Sequence, residues 1–224
     1  MTINKTKKGR KTQEDIIAHA KAVFNRKGIS ITLNELADEL GQGLSYITNH
    51  FRTKDHLFVA IAQAYEGQLA GLLMTYYAEP DISFLKIARL FSDIMDQQFE
   101  HRCAIIAILV ATNNQKELFK QVTESYASNR SGIRRFAESL VAAGYLQPEI
   151  LEDNAFEVFN FQFVNLFTTW MVNLELYDPG KGYACMKPIY LKGIFNTFNA
   201  YLTTTGKADF EALDFEAICR NAAG

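Results

Sequence analysis

The sequence predicts an all-α fold: a small N-terminal three-helix helix-turn-helix unit followed by a larger helical bundle. Three observations carry that reading. Apolar residues recur at three- and four-residue spacing in nearly every segment, and almost none alternates as a strand would. Capping and stop residues punctuate those segments, closely so in the first 57 residues. The charge is also divided: residues 1–57 carry ten Lys and Arg against six Asp and Glu, a net of +4, and the rest carries −6 of the total of −2. A basic end on an otherwise acidic chain points to nucleic acid at that end alone.

The first helix is predicted over "TQEDIIAHAKAVFNRKG", with Thr12 as N-cap and Ile16, Ala20, Val23 and Phe24 on one face. Arg26 and Lys27 occupy its last turn and Gly28 supplies a left-handed stop. The preceding residues 1–11, with Lys5, Lys7, Lys8, Arg10 and Lys11, read as a disordered basic arm that adds salt-sensitive affinity for a polyanion. Thr32 followed by Glu35 is a capping box opening a second helix whose Leu33, Leu36, Ala37 and Leu40 face inward. Gly41-Gln42-Gly43 breaks it, and a short third helix over 44–51 sets Leu44, Ile47 and Phe51 on one stripe.

A longer helix runs from about Lys54 to a break at 79–81, and further helices are expected near 82–101, 103–112, 115–144, 151–177 and 184–204. Pro80, Pro148 and Pro179 fall in the breaks and Pro188 near a helix start, while residues 205–224 read as a small, polar C-terminal tail. The domain boundaries expected are therefore 12–57 for the helix-turn-helix unit and 58–204 for the bundle.

A helix-turn-helix needs a small residue where its helices cross, a turn residue tolerant of positive φ, and apolar anchors behind the reading helix. Ala37, Gly41, and the set Leu36, Leu40, Ile47 and Phe51 meet these needs in turn. The segment from Thr12 to Leu57, with "ELADELG", "HF" (50–51) and "TKDHL" (53–57), resembles the TetR family of bacterial transcriptional regulators. The remainder matches that family only in length, helical content and apolar weight. The resemblance implies a ligand-responsive, DNA-binding regulator, a repressor, that binds a palindromic operator as a homodimer in the cytoplasm.

Helical geometry and the resemblance together give a contact list. Gln42, Leu44, Ser45 and Tyr46 are placed at base edges of the major groove, and Thr48, Asn49 and His50 at the phosphate backbone. Thr32 is assigned to the opposite strand, and Lys54, at the start of its helix, to a phosphate. His50 reads equally as a packing residue within the domain. Two positions depart from the family pattern: Gly43 stands where a capping serine is usual, and Thr48 where a phosphate-touching tyrosine is usual.

"NAFEVFNFQFVNLFTTWMVNLELY" (154–177) is apolar on both faces, so both must be covered. One stripe holds Phe156, Phe159, Phe163, Leu166, Trp170 and Tyr177, the other Val158, Phe161, Thr168 and Val172 with Asn165 among them. A two-fold dimer covers one side with the partner, joined by Tyr190, Ile194, Phe198 and Tyr201 of the last helix. Candidate effector-binding residues are Asn160, Gln162, Asn165, Phe167, Thr169, Trp170 and Asn173. The scarcity of charge there suits a neutral or largely apolar small molecule.

No nucleotide loop, hydrolase elbow or zinc motif is present, so no catalytic residue, metal site or cofactor is expected. His101 and Cys103 lie near each other but make too small a set for a metal, and the three widely spaced cysteines read as reduced, buried thiols. No apolar signal segment follows the basic N-terminus, and the longest apolar run (103–111) is far short of a membrane span. The alternative function is a helical-bundle protein-interaction module whose N-terminal unit is purely structural.

Overall fold

A computed structural model of the protein describes residues 7–78, 82–112, 115–178 and 180–220. Eleven α-helices are formed among the described residues: α1 (Lys7–Lys27), α2 (Leu33–Glu39), α3 (Leu44–Thr48), α4 (Lys54–Ala78), α5 (Phe84–Glu100), α6 (Arg102–Leu109), α7 (Lys116–Ala142), α8 (Asp153–Leu176), α9 (Tyr183–Phe195), α10 (Thr204–Glu211) and α11 (Phe215–Arg220). Two 3₁₀ turns, Pro148–Leu151 and Asn196–Tyr201, accompany them. The one β feature among the described residues is an isolated antiparallel bridge between Leu146 and Leu202.

The chain divides into two units. The first comprises residues 1–68 and 97–123, the second residues 69–96 and 124–224. The first unit is built on the predicted face of α1, where Ile16, Ala20, Val23 and Phe24 are all buried. Leu36 and Ala37 of α2, Ile47 of α3 and Leu57, Phe58 and Ile61 of α4 close the same core. The rings of Phe24 and Phe58 pack with centroids 4.7 Å apart. Burial of each such side chain contributes about 1.5–3 kcal/mol relative to exposure. By length and composition α4 alone among the described residues is apolar enough to cross a membrane, yet its N-terminal half is part of this core.

α6 also belongs to the first unit, which the boundary at residue 57 leaves out. The reason is a polar clamp at Asn25. Its Nδ2 donates to the Glu100 carbonyl at 2.7 Å, and its Oδ1 accepts from the Cys103 amide at 3.0 Å. Arg102 donates to the Asn25 carbonyl at 2.9 Å. Lys21 pairs with Glu100 and approaches His101, which is 1% exposed.

Several expectations are corrected. α1 begins at Lys7, so Thr12 is not its N-cap and positions 7–11 form helix instead of a disordered arm. Lys and Arg are good helix formers, and their propensity carries the helix past the capping signal despite Gly9. Lys5 lies outside the described residues, as do the break at 79–81 and Pro179. Pro188 lies inside α9 and not near its start. Of the cysteines, Cys103 is buried, Cys219 half-buried and Cys185 exposed.

The second unit is held by aromatic residues. Phe84, Phe91, Phe156, Phe159, Phe163, Phe195 and Phe198 are buried, and Phe91 touches the rings of Phe163 and Phe195 at 5.4 Å each. Residues 205–220 are part of this core and not a tail. Thr203 caps α10, accepting from the Gly206 amide at 2.9 Å and donating to the Gly144 carbonyl at 2.7 Å. Phe215 of α11 is buried with its ring 5.5 Å from that of Phe195. Lys187 is buried in α9 and pairs with Asp96 at 2.7 Å, and the same carboxylate accepts from the Tyr183 hydroxyl at 2.7 Å.

Candidate nucleic-acid interface

The α2–turn–α3 segment is fixed at both ends by local sequence. At its start, the Thr32 hydroxyl accepts from the Glu35 amide at 3.2 Å, and the Glu35 carboxylate accepts from the Thr32 amide at 2.7 Å and hydroxyl at 2.8 Å. These bonds from Thr32 hold the Glu35 carboxyl below its ordinary pKa. At the turn, Gly41 adopts φ +60, where a Cβ is strained, and the Gln42 amide reaches back to the Ala37 carbonyl at 3.0 Å. Gly43 is the N-cap of α3 and offers no side-chain bond, so the helix begins without the usual hydroxyl cap.

α3 is seated by Ile47, 0% exposed, and by Phe51, 3% exposed. That anchoring turns the opposite side outward. Ser45 and Asn49, four residues apart, are both exposed, as is Gln42 in the turn. Leu44 is 39% exposed at the first helical position. Tyr46 is half-buried and packs against the three-helix core. Thr48 is half-buried, and its hydroxyl donates to the Leu44 carbonyl at 3.3 Å. His50 is half-buried with Nδ1 enclosed and unpartnered within the protein.

Three cations of this unit are engaged. Arg26 and Lys27 both pair with Glu39, holding its carboxyl below the ordinary range, Lys27 foremost. The Lys54 ammonium, at the start of α4, donates to the carbonyls of Ile29 at 2.9 Å and Ile31 at 3.1 Å. The geometry thus gathers Gln42, Leu44, Ser45 and Asn49 as outward groups. Thr32, Thr48 and Lys54 are brought alongside with their polar atoms already bonded internally.

The profile of the bacterial regulatory proteins of the tetR family matches residues 16–61, from the first buried residue of α1 into α4. Over 58 residues the chain is 38% identical to the HTH-type transcriptional dual regulator CecR of Shigella flexneri, an alignment covering 26% of each chain. The fold of the whole chain is similar to a TetR-family transcriptional regulator from Marinobacter aquaeolei VT8, with a TM-score of 0.70 at 20% identity, over 94% of this chain and 98% of that one. The chain has a TetR-type helix-turn-helix region at residues 16–61 and a TetR-like fold overall. It is also similar in fold to a gamma-butyrolactone receptor (ArpA-like protein), with a TM-score of 0.64 at 15% identity, over 95% of this chain and 96% of that one.

α3 is the second helix of the helix-turn-helix within the matched region, and its departures from the family pattern have visible consequences. Gly43 leaves the first turn uncapped by a side chain. Thr48, in place of the usual tyrosine, turns its hydroxyl back onto its own helix.

The seven effector candidates on α8 do not converge. Asn160 is 1% exposed with Oδ1 unpartnered, Trp170 is 2% exposed with its ring stacked on Tyr183 at 5.4 Å, and half-buried Phe167 contacts Phe91 at 5.1 Å. Gln162 and Asn165 are exposed, Asn165 on the helix face opposite Phe163 and Gln162 on its flank. Thr169 and Asn173 are half-buried, and the Thr169 hydroxyl donates to the Asn165 carbonyl at 2.6 Å. Leu166 and Tyr177, which share the stripe of Phe156, Phe159, Phe163 and Trp170, are 41% and 77% exposed. In α9 and the turn after it, Ile194 and Phe198 are buried in the second unit's own core, so the outward apolar residue of α9 is Ile189, 59% exposed. His101 is weighed in the sequence only as a metal ligand and set aside, and the Asn25 clamp leaves no sequence signal, since lone polar residues give no periodicity.

Proposed function

We propose that the protein is a ligand-responsive transcriptional repressor that binds a palindromic operator in cytoplasmic DNA as a homodimer. The observation that carries this reading is the face of α3. Its outward groups are uncharged and, Leu44 apart, polar, and it is anchored from behind by Ile47 and Phe51 in a domain matched by the TetR profile. Base edges supply the hydrogen-bond partners that such a face lacks within the protein. Gln42, Leu44, Ser45 and Tyr46 meet bases, Asn49 and His50 meet phosphates, and Thr32, Thr48 and Lys54 exchange internal bonds for contacts to the backbone.

Dimerisation is supported by the outer side of α8, where Val158, Phe161, Leu166 and Leu176 are 55%, 69%, 41% and 66% exposed, and by Ile189 of α9, 59% exposed. Apolar exposure on this scale marks an association surface. Two protomers joined there present two copies of α3 to half-sites about one helical turn (~34 Å) apart or a multiple of it. Effector response is supported by the aromatic interior of the second unit, where Asn160 offers an unpartnered amide oxygen, and by the fold's likeness to a receptor for a gamma-butyrolactone. A neutral or largely apolar molecule bound there shifts the population towards a spacing of reading helices that no longer fits the operator. The test is sedimentation of the full chain alone and with an operator duplex, followed by operator affinity with and without a proven small-molecule binder. A dimer per duplex and an affinity lowered by the binder are expected; a monomer, or equal affinities, overturns the respective part.

A further inference from the structure

The chemistry of α3 narrows which bases it reads. Residues 41–51 contain no Lys or Arg and no Asp or Glu. In the major groove, guanine is read chiefly by Arg or Lys through O6 and N7, and cytosine by a carboxylate through N4. Adenine is read by Gln or Asn through N6 and N7, and thymine by apolar contact with its methyl group. The reading segment thus lacks both charged readers of a G·C pair and holds the two uncharged readers of an A·T pair. Gln42 and Ser45 are exposed at the leading end of the helix, and Leu44 between them is 39% exposed.

Neighbouring cations do not fill the gap. Arg26 and Lys27 are paired with Glu39, and Lys54 is held by the carbonyls of Ile29 and Ile31. Arg52 follows Phe51, at the end of the segment away from Gln42 and Leu44. Tyr46 is packed against the core.

We propose, resting on the DNA-binding reading above, that each operator half-site is recognised through A·T pairs, with the Gln42 carboxamide on adenine N6 and N7 and the Leu44 side chain on a thymine methyl. Ser45 hydrogen-bonds within the same A·T pairs and adds no discrimination of its own. Guanine O6 and N7 are left uncontacted by α3.

The experiment selects duplexes from a random pool with the full-length chain, then rebuilds the enriched duplex one position at a time. 7-Deazaadenine removes the N7 acceptor, deoxyuridine removes the thymine methyl, and 7-deazaguanine serves as the control. In each half-site, one 7-deazaadenine and at least one deoxyuridine are expected to weaken binding about tenfold, the order of one base contact. 7-Deazaguanine is expected to have no effect. Gln42→Ala abolishes the first penalty and Leu44→Ala the second, each with an unchanged thermal midpoint because both side chains are exposed. A half-site sensitive to 7-deazaguanine and insensitive to 7-deazaadenine overturns the proposal. So does binding without any sequence enrichment, although DNA binding itself then stands. If no duplex is retained even at low salt, the DNA-binding reading falls and takes this inference with it.

Discussion

His101 Nε2 lies 3.4 Å from the Lys21 ammonium. On the other side of the ring, Nδ1 is 2.8 Å from the Gln97 carbonyl, which only accepts, so Nδ1 carries the proton and Nε2 presents a lone pair to Lys21. The neutral imidazole fits this place and the imidazolium does not. Burial lowers the His101 pKa below its ordinary value of 6.5 and the Lys21 charge adds to the effect, against opposing contributions from the Gln97 carbonyl and Glu100. The Tyr65 ring packs alongside at 5.8 Å.

The folded state therefore binds this proton less readily than the unfolded state. The stabilisation is complete above the ordinary value of 6.5 and is lost as pH falls through the lower, folded pKa. Thermal midpoints measured from about pH 7.5 down to pH 5 should decline below about 6.5. In His101→Gln that component of the decline should disappear, and parallel profiles for the two proteins would refute it.

Gly206 is required by space and not by its dihedral angle. A Cβ added there would stand 2.0 Å from the Tyr145 carbonyl oxygen, a backbone atom that cannot swing away. Gly206→Ala is expected to destabilise by about 2–3 kcal/mol, lowering the thermal midpoint by roughly 5–10 °C in a chain of this size. A midpoint within a degree of the parent would show that the start of α10 shifts freely.

Asp96 holds the ammonium of Lys187, whose side chain is 4% exposed. Asp96→Ala leaves a buried cation without its anion, at a cost of about 2–4 kcal/mol, softened because the Asp96 side chain is itself 34% exposed. Adding Lys187→Met should recover most of that loss, since an apolar side chain of similar length fits among aromatic neighbours. Denaturant unfolding of the two single variants and the double variant measures the coupling, and additive losses would mean the pair is not coupled.

Lys54 presents a choice between two partners. Its carbonyl bonds to Ile29 and Ile31 tie the loop before α2 to the start of α4. On DNA, the same ammonium is expected to move to a phosphate. Lys54→Ala should then weaken all duplexes alike and reduce the slope of affinity against salt by about one unit. A slope equal to that of the parent would place the ammonium on the loop carbonyls in the bound state too.

The helix-turn-helix was legible because its signals are local. The Thr32–Glu35 capping box, the positive φ of Gly28 and Gly41, and the uncapped start at Gly43 each depend on one or two neighbouring residues. The start of α1 was misread at Thr12, where a good cap residue lies within a run of helix formers that extends to Lys7. The stretch of α10 and α11 reads as a polar tail with room for one short helix, because Phe210, Phe215 and Ile218 are sparse in it and their packing partners, such as Phe195, lie outside it. On α8 the apolar pattern revealed two covered sides but not which residue faces which. Leu166 shares a stripe with Phe156, Phe159 and Phe163 in the sequence, yet the aromatic contacts of Phe159, Phe163 and Phe167 set the helix rotation that leaves it out.

Ser45 is exposed on the outward line of α3. The most direct test of the central claim is the affinity of the Ser45→Glu variant for the selected operator, measured beside its thermal midpoint. A carboxylate on a helix seated in the major groove meets the phosphates and base acceptors, so a loss of about a hundredfold or more with an unchanged midpoint is expected. Operator affinity equal to that of the parent protein would contradict the claim that this face of α3 reads DNA.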